Sequence, residues 1–262
     1  MINPGSTSTK IASYHGESCI FSESIHHNSD ALYKYNSILE QLPFRSECIK
    51  ELLLNKNIHL SDFDAFVGRG GLLRPIESGT FAINDNMISD LQNSERGEHA
   101  SNLGALLAYE FAAERSRPSF IVDPVVVNEM QPAAKISGHP DFERKSIFHA
   151  LNHKAVARKL AERIKKVYQE SNFIIAHMGG GITIAAHEKG RVIDVNNGLD
   201  GEGPFSAERS GTLPAGDLIR ACYSSGLPQS EMLKKVKGKG GLVAYFGPHD
   251  FWRLMNRYQK RD

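Results

Sequence analysis

Two strand–turn–strand segments, one in each half of the chain, constrain the fold more than any other feature. In the first, apolar and polar residues alternate over 10–14 and 18–22, on either side of a turn at 15–17. A further short strand at Met1 and Ile2 precedes a turn at 4–6. In the second segment, strands are predicted at 173–176, 182–186 and 191–196, and three consecutive glycines separate the first two. The recurrence predicts two related domains.

Helical periodicity fills the intervals between these strands. Helices are predicted at 30–41, 47–55, 84–91 with Asn84 as the N-cap, 100–114, 152–168, 216–224 and 229–235. Short strands are predicted at 63–67 and 120–122. The helix at 152–168 is expected to be the longest, because Val156, Leu160, Ile164 and Val167 recur at its period. This mixture of strands and helices predicts an α/β protein.

Composition restricts the partners. The formal net charge of +1 gives no general field for nucleic acid or an anionic membrane, so anion recognition has to be local. No apolar run approaches the ~20 residues that a bilayer requires, and no basic, apolar leader opens the chain. Cytoplasm is the expected location. The three cysteines, Cys19, Cys48 and Cys222, are scattered, which favours reduced thiols over a disulfide or zinc site.

Both turns have the composition of an anion-binding site. Residues 3–10 combine Gly5 with several hydroxyls and end at Lys10, so their amides can form an anion nest. The chain continues as a strand and therefore is not a Walker A loop. A polar hairpin turn with a solvated Lys10 is the alternative. The glycines at 179–181 lose much backbone entropy on folding, which a closely approaching ligand would explain. A flexible hairpin explains them as well.

Four side chains outside the turns suit phosphate or metal chemistry. Arg69 follows a strand among glycines, and Arg209 lies in a loop; each guanidinium suits bidentate phosphate contacts or is an ordinary surface arginine. Asp123 ends a strand before a proline, where it can hold a magnesium-bound water or stabilise the turn. His149 shares one helix face with His153, four residues on, but no His-Glu-x-x-His is present, which disfavours zinc.

Seven segments of the sequence together resemble the butyrate kinases. They run in order between Met1 and about Gly247: residues 3–10, 67–71, 99–104, 122–124, 146–152, 176–181 and 199–206. Acetate kinases are the nearest family. They typically carry Asn-Ala-Gly-Ser-Ser-Ser in the first turn and His-x-Gly-Asn-Gly in the second, and a short Thr-Arg-Ser-Gly in place of the longer run ending at 208–211. Residues 251–258 resemble butyrate kinases only loosely.

The resemblance implies a two-lobed actin-like ATPase fold of the ribonuclease H-like type. Residues 1–150 would form an N-terminal lobe with the first phosphate loop and the acyl-substrate side. Residues 151–262 would form a partial C-terminal lobe with the second phosphate loop. The implied reaction is ATP-dependent phosphorylation of butyrate, or a related short or branched carboxylate, with magnesium. The implied assembly is a homodimer.

The resemblance also implies roles for individual residues. The first phosphate loop would consist of Asn3, Ser6, Ser8 and Lys10, and the second of His177, Gly179, Gly180 and Gly181. Arg69 and Arg209 would bind the carboxylate and the migrating phosphoryl group, although the Arg69 loop does not align cleanly with the acetate kinase arginine. His149 would hydrogen-bond phosphoryl oxygens. Asn3 and Asp123 would lie on the magnesium side, Asp123 acting through water.

The resemblance further implies that the second lobe is incomplete. Family members extend further at both ends and supply an adenosine-binding glycine pair and an acidic residue near magnesium beyond position 262. An inactive remnant, which acts as a binding module or is not stably folded, is therefore the second hypothesis, and an acetate or propionate kinase is a third. A sugar kinase or chaperone-type ATPase is disfavoured, because no segment resembles an aspartate base beside a hydroxyl-binding pocket.

Overall fold

The computed structural model describes residues 1–247 and Gln259, and the chain divides into two compact units, Met1–Val127 and Asn128–Asp262. The lobes predicted from the resemblance meet at residue 150, whereas residues 128–150 pack here with the second unit. Glu129 shows why: its carboxylate binds Lys154 Nζ at 2.6 Å and accepts the Val192 N–H at 2.8 Å. The segment at 251–258 lies outside the described residues.

The first unit contains a six-stranded sheet in the order β3-β2-β1-β4-β6-β5. Its strands are β1 Ile2–Pro4, β2 Ser8–His15, β3 Ser18–His26, β4 Phe66–Gly68, β5 Thr80–Ala82 and β6 Ser119–Val122. β4 pairs in parallel with β1 and β6, whereas β2, β3 and β5 join antiparallel. The predicted hairpin and the strand at 120–122 are confirmed, whereas the strand predicted over 63–67 overlaps β4 only at 66–67. β5 was not predicted from the sequence.

The first unit also contains helices, one of which packs directly on this sheet. They are α1 Ser29–Leu32, α2 Leu42–Asn55, α3 Asp85–Asn93 and α4 Asn102–Arg115. α4 is buried along most of its length, with Leu103 and Leu107 fully inaccessible. It approaches β4 so closely that a β-carbon on Gly68 would stand 2.1 Å from the Gly104 carbonyl oxygen. The predicted N-cap of α3 is confirmed, because Asn84 Oδ1 accepts the Met87 N–H at 3.0 Å.

The helix predicted over 30–41 is wrong: only α1 and a 3-10 turn at Leu39–Gln41 form there. Side chains between them bind the backbone instead. Ser37 Oγ accepts the Glu40 N–H at 3.2 Å, and the Glu40 carboxylate accepts the Asn36 N–H at 2.8 Å. Such local hydrogen bonds compete with the helical ladder, so the helix is interrupted.

The second unit contains the three-stranded antiparallel sheet β7-β8-β9, as predicted. Its strands are β7 Asn172–Met178, β8 Ile182–Glu188 and β9 Arg191–Val195, and its helices are α5 Ala150–Arg163, α6 Ala215–Ser224, α7 Gln229–Val236 and α8 Leu242–Phe246. Ala157 and Ala161 of α5 pack with Tyr168 and Ile175 into a buried cluster. The predicted helices at 216–224 and 229–235 are confirmed.

The long helix predicted over 152–168 is only partly correct. α5 ends at Arg163, because Lys165 adopts a left-handed backbone with φ of 56° and Tyr168–Glu170 forms a separate 3-10 turn. The side chains at the helical period face outward: Val156, Leu160, Ile164 and Val167 are all exposed. The alanines one position later make the buried face. Across the described residues, no helix combines the length and apolarity needed to cross a bilayer.

Candidate functional site

The first turn gathers predicted site residues on one face of the β1–β2 ladder. Asn3 is directly opposite Lys10, so their side chains share a face, and Ser8 lies on the same face two residues earlier. Arg69 joins them, because its Nη1 donates to Asn3 Oδ1 at 3.2 Å. Ser6 lies exposed in the turn itself. Asn3, Ser8, Lys10 and Arg69 thus form one polar cluster.

Backbone contacts fix the position of Arg69. Its N–H donates to the Ile2 carbonyl at 2.9 Å, which continues the β1–β4 pairing by one residue. Burial lowers the pKa of the Arg69 guanidinium, although an arginine keeps its charge near neutral pH. The loop after Arg69 packs tightly on the end of β6, since a β-carbon on Gly70 would stand 2.6 Å from Pro124 Cβ. The bond to Ile2 and the close packing of the loop therefore fix the backbone of Arg69.

Arg45 supports the first turn from within and was not predicted from the sequence. It is fully buried in α2, and Nη1 donates to the Ser8 carbonyl and to Thr9 Oγ1, each at 3.0 Å. Nη2 donates to the Ser6 carbonyl at 3.2 Å. Within residues 1–247 no carboxylate pairs with it, and burial lowers its pKa. Arg45 therefore holds the turn by its carbonyls and brings positive charge beneath it.

Asp123 stabilises a turn. The residue is buried and adopts a left-handed backbone with φ of 38°. Its Oδ1 accepts the Ser78 hydroxyl at 2.6 Å and the Gly79 N–H at 2.9 Å. Oδ1 of Asp123 therefore stabilises the turn, which is one of the two roles that the sequence left open for this residue. The role of Asp123 in ordering magnesium stays a prediction.

In the second unit, the glycine turn is held by the loop that carries Arg209. The Gly180 carbonyl accepts the Ser206 hydroxyl at 2.7 Å and the Glu208 N–H at 3.1 Å. A β-carbon on Gly181 would stand 3.6 Å from His149 Cε1 and 3.8 Å from Arg209 Cγ. The glycine turn, His149 and Arg209 therefore lie together in the second unit, and their role as one site stays a prediction.

Two of the predicted histidines stack beside this turn. The His149 and His177 rings lie 3.7 Å apart between centroids and are inclined by only 9°. His177 Nδ1 contacts Asn152 Oδ1 at 3.1 Å. His149 Nδ1 contacts Thr183 Oγ1 at 2.9 Å, and His153 Nε2 contacts the same hydroxyl at 2.9 Å. Because His149 and His153 are four residues apart, both of their rings contact the Thr183 hydroxyl.

Arg209 has an unsatisfied donor. Its side chain is 19% exposed, and its Nε is buried without a hydrogen-bond partner in the part of the chain that the structure describes. Nη1 donates to the Glu208 carbonyl at 3.2 Å. Burial lowers the pKa of the guanidinium, and the nearby Glu208 carboxylate opposes this. A buried, cationic donor with an unused N–H next to a glycine turn is suited to bind an anion.

The segment at 199–206 has a structural role. Glu202 accepts Arg144 Nε at 2.7 Å with one oxygen and the Asn197 N–H at 3.2 Å with the other. Arg144 also binds Asp194 at 3.0 Å and the Val195 carbonyl at 3.1 Å. These bonds tie the end of β9 to the loop that leads to Arg209, so the segment positions the arginine.

Metal ligation by protein side chains alone is not built into the described residues: no three His, Cys, Asp or Glu side chains converge among them. Magnesium is commonly held by one or two carboxylates with water and substrate phosphates completing its shell. A single buried Asp123 is compatible with that preference. Asn3 contributes an amide oxygen that Arg69 already binds.

Known proteins share this architecture. The acetokinase family model, Acetate_kinase, matches residues 141–262. Acetate kinase from Porphyromonas gingivalis aligns with a TM-score of 0.74 at 18% identity, over 99% of this chain and 72% of that chain. A propionate kinase from Francisella tularensis subsp. tularensis SCHU S4 gives 0.72 at 18%, over 100% and 73%. Acetate kinase from Entamoeba histolytica gives 0.69 at 15%, over 99% and 70%.

Identities this low establish the fold alone. The chain has the fold of the acetate kinase structures, an actin-like ATPase fold, so the predicted fold class is confirmed. The aligned region spans about seven tenths of those proteins' length. The family match covers nearly all of the second unit, which carries the glycine turn and Arg209.

Proposed function

We propose that this protein is a carboxylate kinase that transfers the γ-phosphoryl group of ATP to butyrate or a related short or branched carboxylate. The products are an acyl phosphate and ADP, and the transfer is direct and in line. The acetokinase match over 141–262 and the fold shared with acetate and propionate kinases support the reaction class. The ordered motifs of the sequence support butyrate. By the same resemblance we propose a homodimer in the cytoplasm.

The observation that carries this proposal is the arrangement of Arg209 beside the glycine turn. Its buried Nε–H lacks a partner within the described residues, and the Gly181 position is lined by Arg209 and His149 together. A glycine turn admits a bulky anion close to the backbone. The arginine supplies charge and a planar set of donors. This combination fits a phosphoryl group better than it fits a neutral ligand.

Phosphoryl transfer from ATP to a carboxylate requires a site of this kind. A carboxylic acid is ionised at neutral pH, because its pKa is about 4 to 5, so the nucleophile needs no general base. The difficulty is that an anion has to approach the anionic γ-phosphate, after which charge spreads over the equatorial oxygens. Fixed cations and N–H donors lower that barrier. In this chain we assign the role to Arg209 and His149 in the second unit, and to Arg69 in the first.

We assign nucleotide binding to residues of both units as well. We propose that Asn3, Ser6, Ser8 and Lys10 bind phosphate in the first unit, and His177 with Gly179, Gly180 and Gly181 in the second. Magnesium, when bound, would neutralise charge on the ATP phosphates. Asp123 and Asn3 are the residues that we assign to its side of the site.

Acetate or propionate is the second candidate substrate, because the structural relatives reported above are acetate and propionate kinases. The sequence favours butyrate over them in both turns and around Arg209. The test is a hydroxamate assay with ATP, magnesium and straight-chain acids of about two to five carbons, each followed to saturation. We expect the highest kcat/KM for butyrate. A higher value for acetate or propionate would reassign the substrate and keep the reaction class.

The reaction class is tested by Arg209→Ala, with Arg220→Ala as the matched control. Arg220 is an exposed arginine of α6 whose partner is Asp217. We expect Arg209→Ala to lower kcat by about 10²- to 10³-fold, the usual cost of losing one such donor, and Arg220→Ala to keep it. The reverse reaction, ATP from butyryl phosphate and ADP, should fall in parallel. Wild-type protein that binds ATP but forms no acyl phosphate from any acid would support the inactive binding module and overturn the proposal.

A further inference from the structure

Thr183 lies at the centre of a buried hydrogen-bonded group that leads to His149. Its side chain is fully inaccessible, and its hydroxyl is 2.9 Å from both His149 Nδ1 and His153 Nε2. A hydroxyl carries a single proton and can donate to only one of these nitrogens. Which one receives it decides where His149 carries its own proton.

The protonation of His153 determines the direction. His153 is fully buried, and burial, followed by the charges of His187 and His177, lowers its pKa to about 4. At neutral pH the ring therefore carries one proton. Its Nδ1 is buried and has no hydrogen-bond partner among the described residues. A buried N–H without an acceptor is rarer and costlier than an acceptor without a donor. The proton of His153 therefore belongs on Nε2.

With Nε2–H of His153 donating to Thr183 Oγ1, the threonine proton is left for His149, because His149 Nδ1 is the other partner that the described residues give this buried hydroxyl. Thr183 then donates to His149 Nδ1, and the proton of neutral His149 lies on Nε2.

We propose that Thr183 and His153 are positioning residues that hold His149 in the Nε2–H tautomer, so that its ring offers an N–H to an anion at the glycine turn. His149 Cε1, the carbon between Nδ1 and Nε2, is 3.6 Å from the place of a β-carbon on Gly181, while Nδ1 contacts Thr183 Oγ1. Identification of that anion as the migrating phosphoryl group rests on the proposed function. The tautomer does not rest on it, because it follows from the hydrogen bonds of Thr183 and the neutral state of His153.

Nitrogen NMR of histidine-labelled protein tests the tautomer without any assay of activity. At about pH 8, above the ordinary histidine pKa of about 6.5, each neutral ring shows one protonated and one unprotonated nitrogen. The His149 signals are identified by their loss in His149→Gln. We expect a protonated Nε2 and an unprotonated Nδ1. A protonated Nδ1 in the wild-type protein would overturn the proposal.

Thr183→Val and Thr183→Ser separate the hydroxyl from the shape of the side chain. In Thr183→Val the two His149 shifts should move towards each other, as in an imidazole that exchanges between tautomers, and Thr183→Ser should retain the wild-type pattern. Signals of distant residues confirm that both variants are folded. If Thr183→Val leaves the His149 shifts unchanged, Thr183 does not set the tautomer.

The kinetic measurement then links the tautomer to catalysis. We expect Thr183→Val to lower kcat about tenfold with little change in KM, because the lost donor acts on charge that develops in the transition state. Thr183→Ser should restore most of the rate. A normal tautomer response with an inactive wild-type protein would refute the proposed function and leave the positioning role intact. A changed tautomer with an unchanged kcat would refute the catalytic link.

Discussion

Arg45 is a buried cation whose partners are carbonyl and hydroxyl oxygens of the first turn, together with Gln41. Carbonyls compensate only part of the cost of desolvating a guanidinium. An anion on the other side of the turn would supply the remaining compensation. Arg45 is therefore placed to couple the stability of the turn to the binding of phosphate.

Replacing Arg45 by methionine should weaken both properties. The turn carbonyls lose their donors, so we expect the free energy of unfolding to fall by roughly 2–4 kcal/mol and the KM for ATP to rise about tenfold. Arg45→Lys should recover only part of the stability and of the ATP affinity, since an ammonium does not reproduce the fork of donors of a guanidinium. The control is Lys50→Met, which removes an exposed pair with Glu114 from the same helix. Equal behaviour of the two methionine variants would contradict this role.

The types of the site residues were predictable from the sequence, but their partners were not. Arg209 was selected because a guanidinium suits phosphate, and His149 because of its spacing from His153 and the resemblance to butyrate kinases; the structure places both beside Gly181. Arg45 left one clue: it precedes Ile49 by four residues and so falls on the apolar face of α2. The sharing of Thr183 by two histidines depends on contacts about 30 residues apart in the chain, which no local pattern reveals.

At the scale of elements, α4 and β4 are in direct backbone contact. A β-carbon on Gly68 would lie 2.1 Å from the Gly104 carbonyl oxygen, and backbone atoms cannot yield as a flexible side chain can. We expect Gly68→Ala to lower the free energy of unfolding by about 2–3 kcal/mol or more, measured by urea denaturation. Gly138→Ala is the control, since a β-carbon there meets nothing within 4 Å. A loss below about 0.5 kcal/mol for Gly68→Ala would show that the helix can move aside.

A buried ion pair joins α5 to the segment before it and to β9. Lys154 and Glu129 have side chains that are 1% and 6% exposed, and Lys154 also donates to the Gly190 carbonyl at 2.9 Å. Lys154→Ala leaves the Glu129 carboxylate buried without its cation, which typically costs 3–5 kcal/mol. The exposed Lys159→Ala on the same helix should cost little. The double change Lys154→Met with Glu129→Leu should lose less than Lys154→Ala alone, and a larger loss would contradict the desolvation argument.

Elements were predictable where their hydrophobic period extended over several turns or strands. The glycine turn with its three strands is an example, because alternation there spans 172–195. Prediction failed where side-chain hydrogen bonds or distant segments determine the backbone conformation. Ser37 and Glu40 interrupt one helix, and the left-handed Lys165 ends another. The part of α5 that packs with Ile175 of β7 consists of alanines, which the helical period of larger apolar residues does not indicate.

For the whole molecule, the buried histidines predict sensitivity to acid. Burial is the main cause that lowers the pKa of His27, His153 and His187, each to about 4. Their unfolded-state pKa is about 6.5, so between these values the unfolded chain binds more protons than the native one. Stability therefore rises with pH in this range and is lost as the pH falls from about 6.5 towards 4. Each histidine contributes a slope of up to about 1.4 kcal/mol per pH unit.

Urea denaturation at intervals between about pH 7 and pH 4.5 measures this slope. His187→Leu removes one of the three buried titrating groups and should reduce the slope by about a third, whatever its effect at neutral pH. The exposed His15→Gln serves as the control. A slope that is the same in His187→Leu and in wild-type protein would assign the acid sensitivity to other groups.

The general architecture was predictable because ordered motifs and element types pointed to one fold. The boundary between the two units was less predictable. The resemblance placed the boundary at residue 150, but Glu129 and Gln131 already belong to the second unit through bonds to Lys154, Val192 and Ile193. These bonds join residues far apart in sequence, and composition changes little across the boundary.

The glycine pair at 68 and 104 has a consequence for comparing relatives of this protein. Arg69 directly follows one member of the pair, and its backbone lies against the other. Any homologue with a larger residue at either position has to separate the helix from the strand, and the guanidinium would shift with the strand end. Such a homologue would bind its anion with altered geometry, so these two positions indicate which relatives share the site and which share only the architecture.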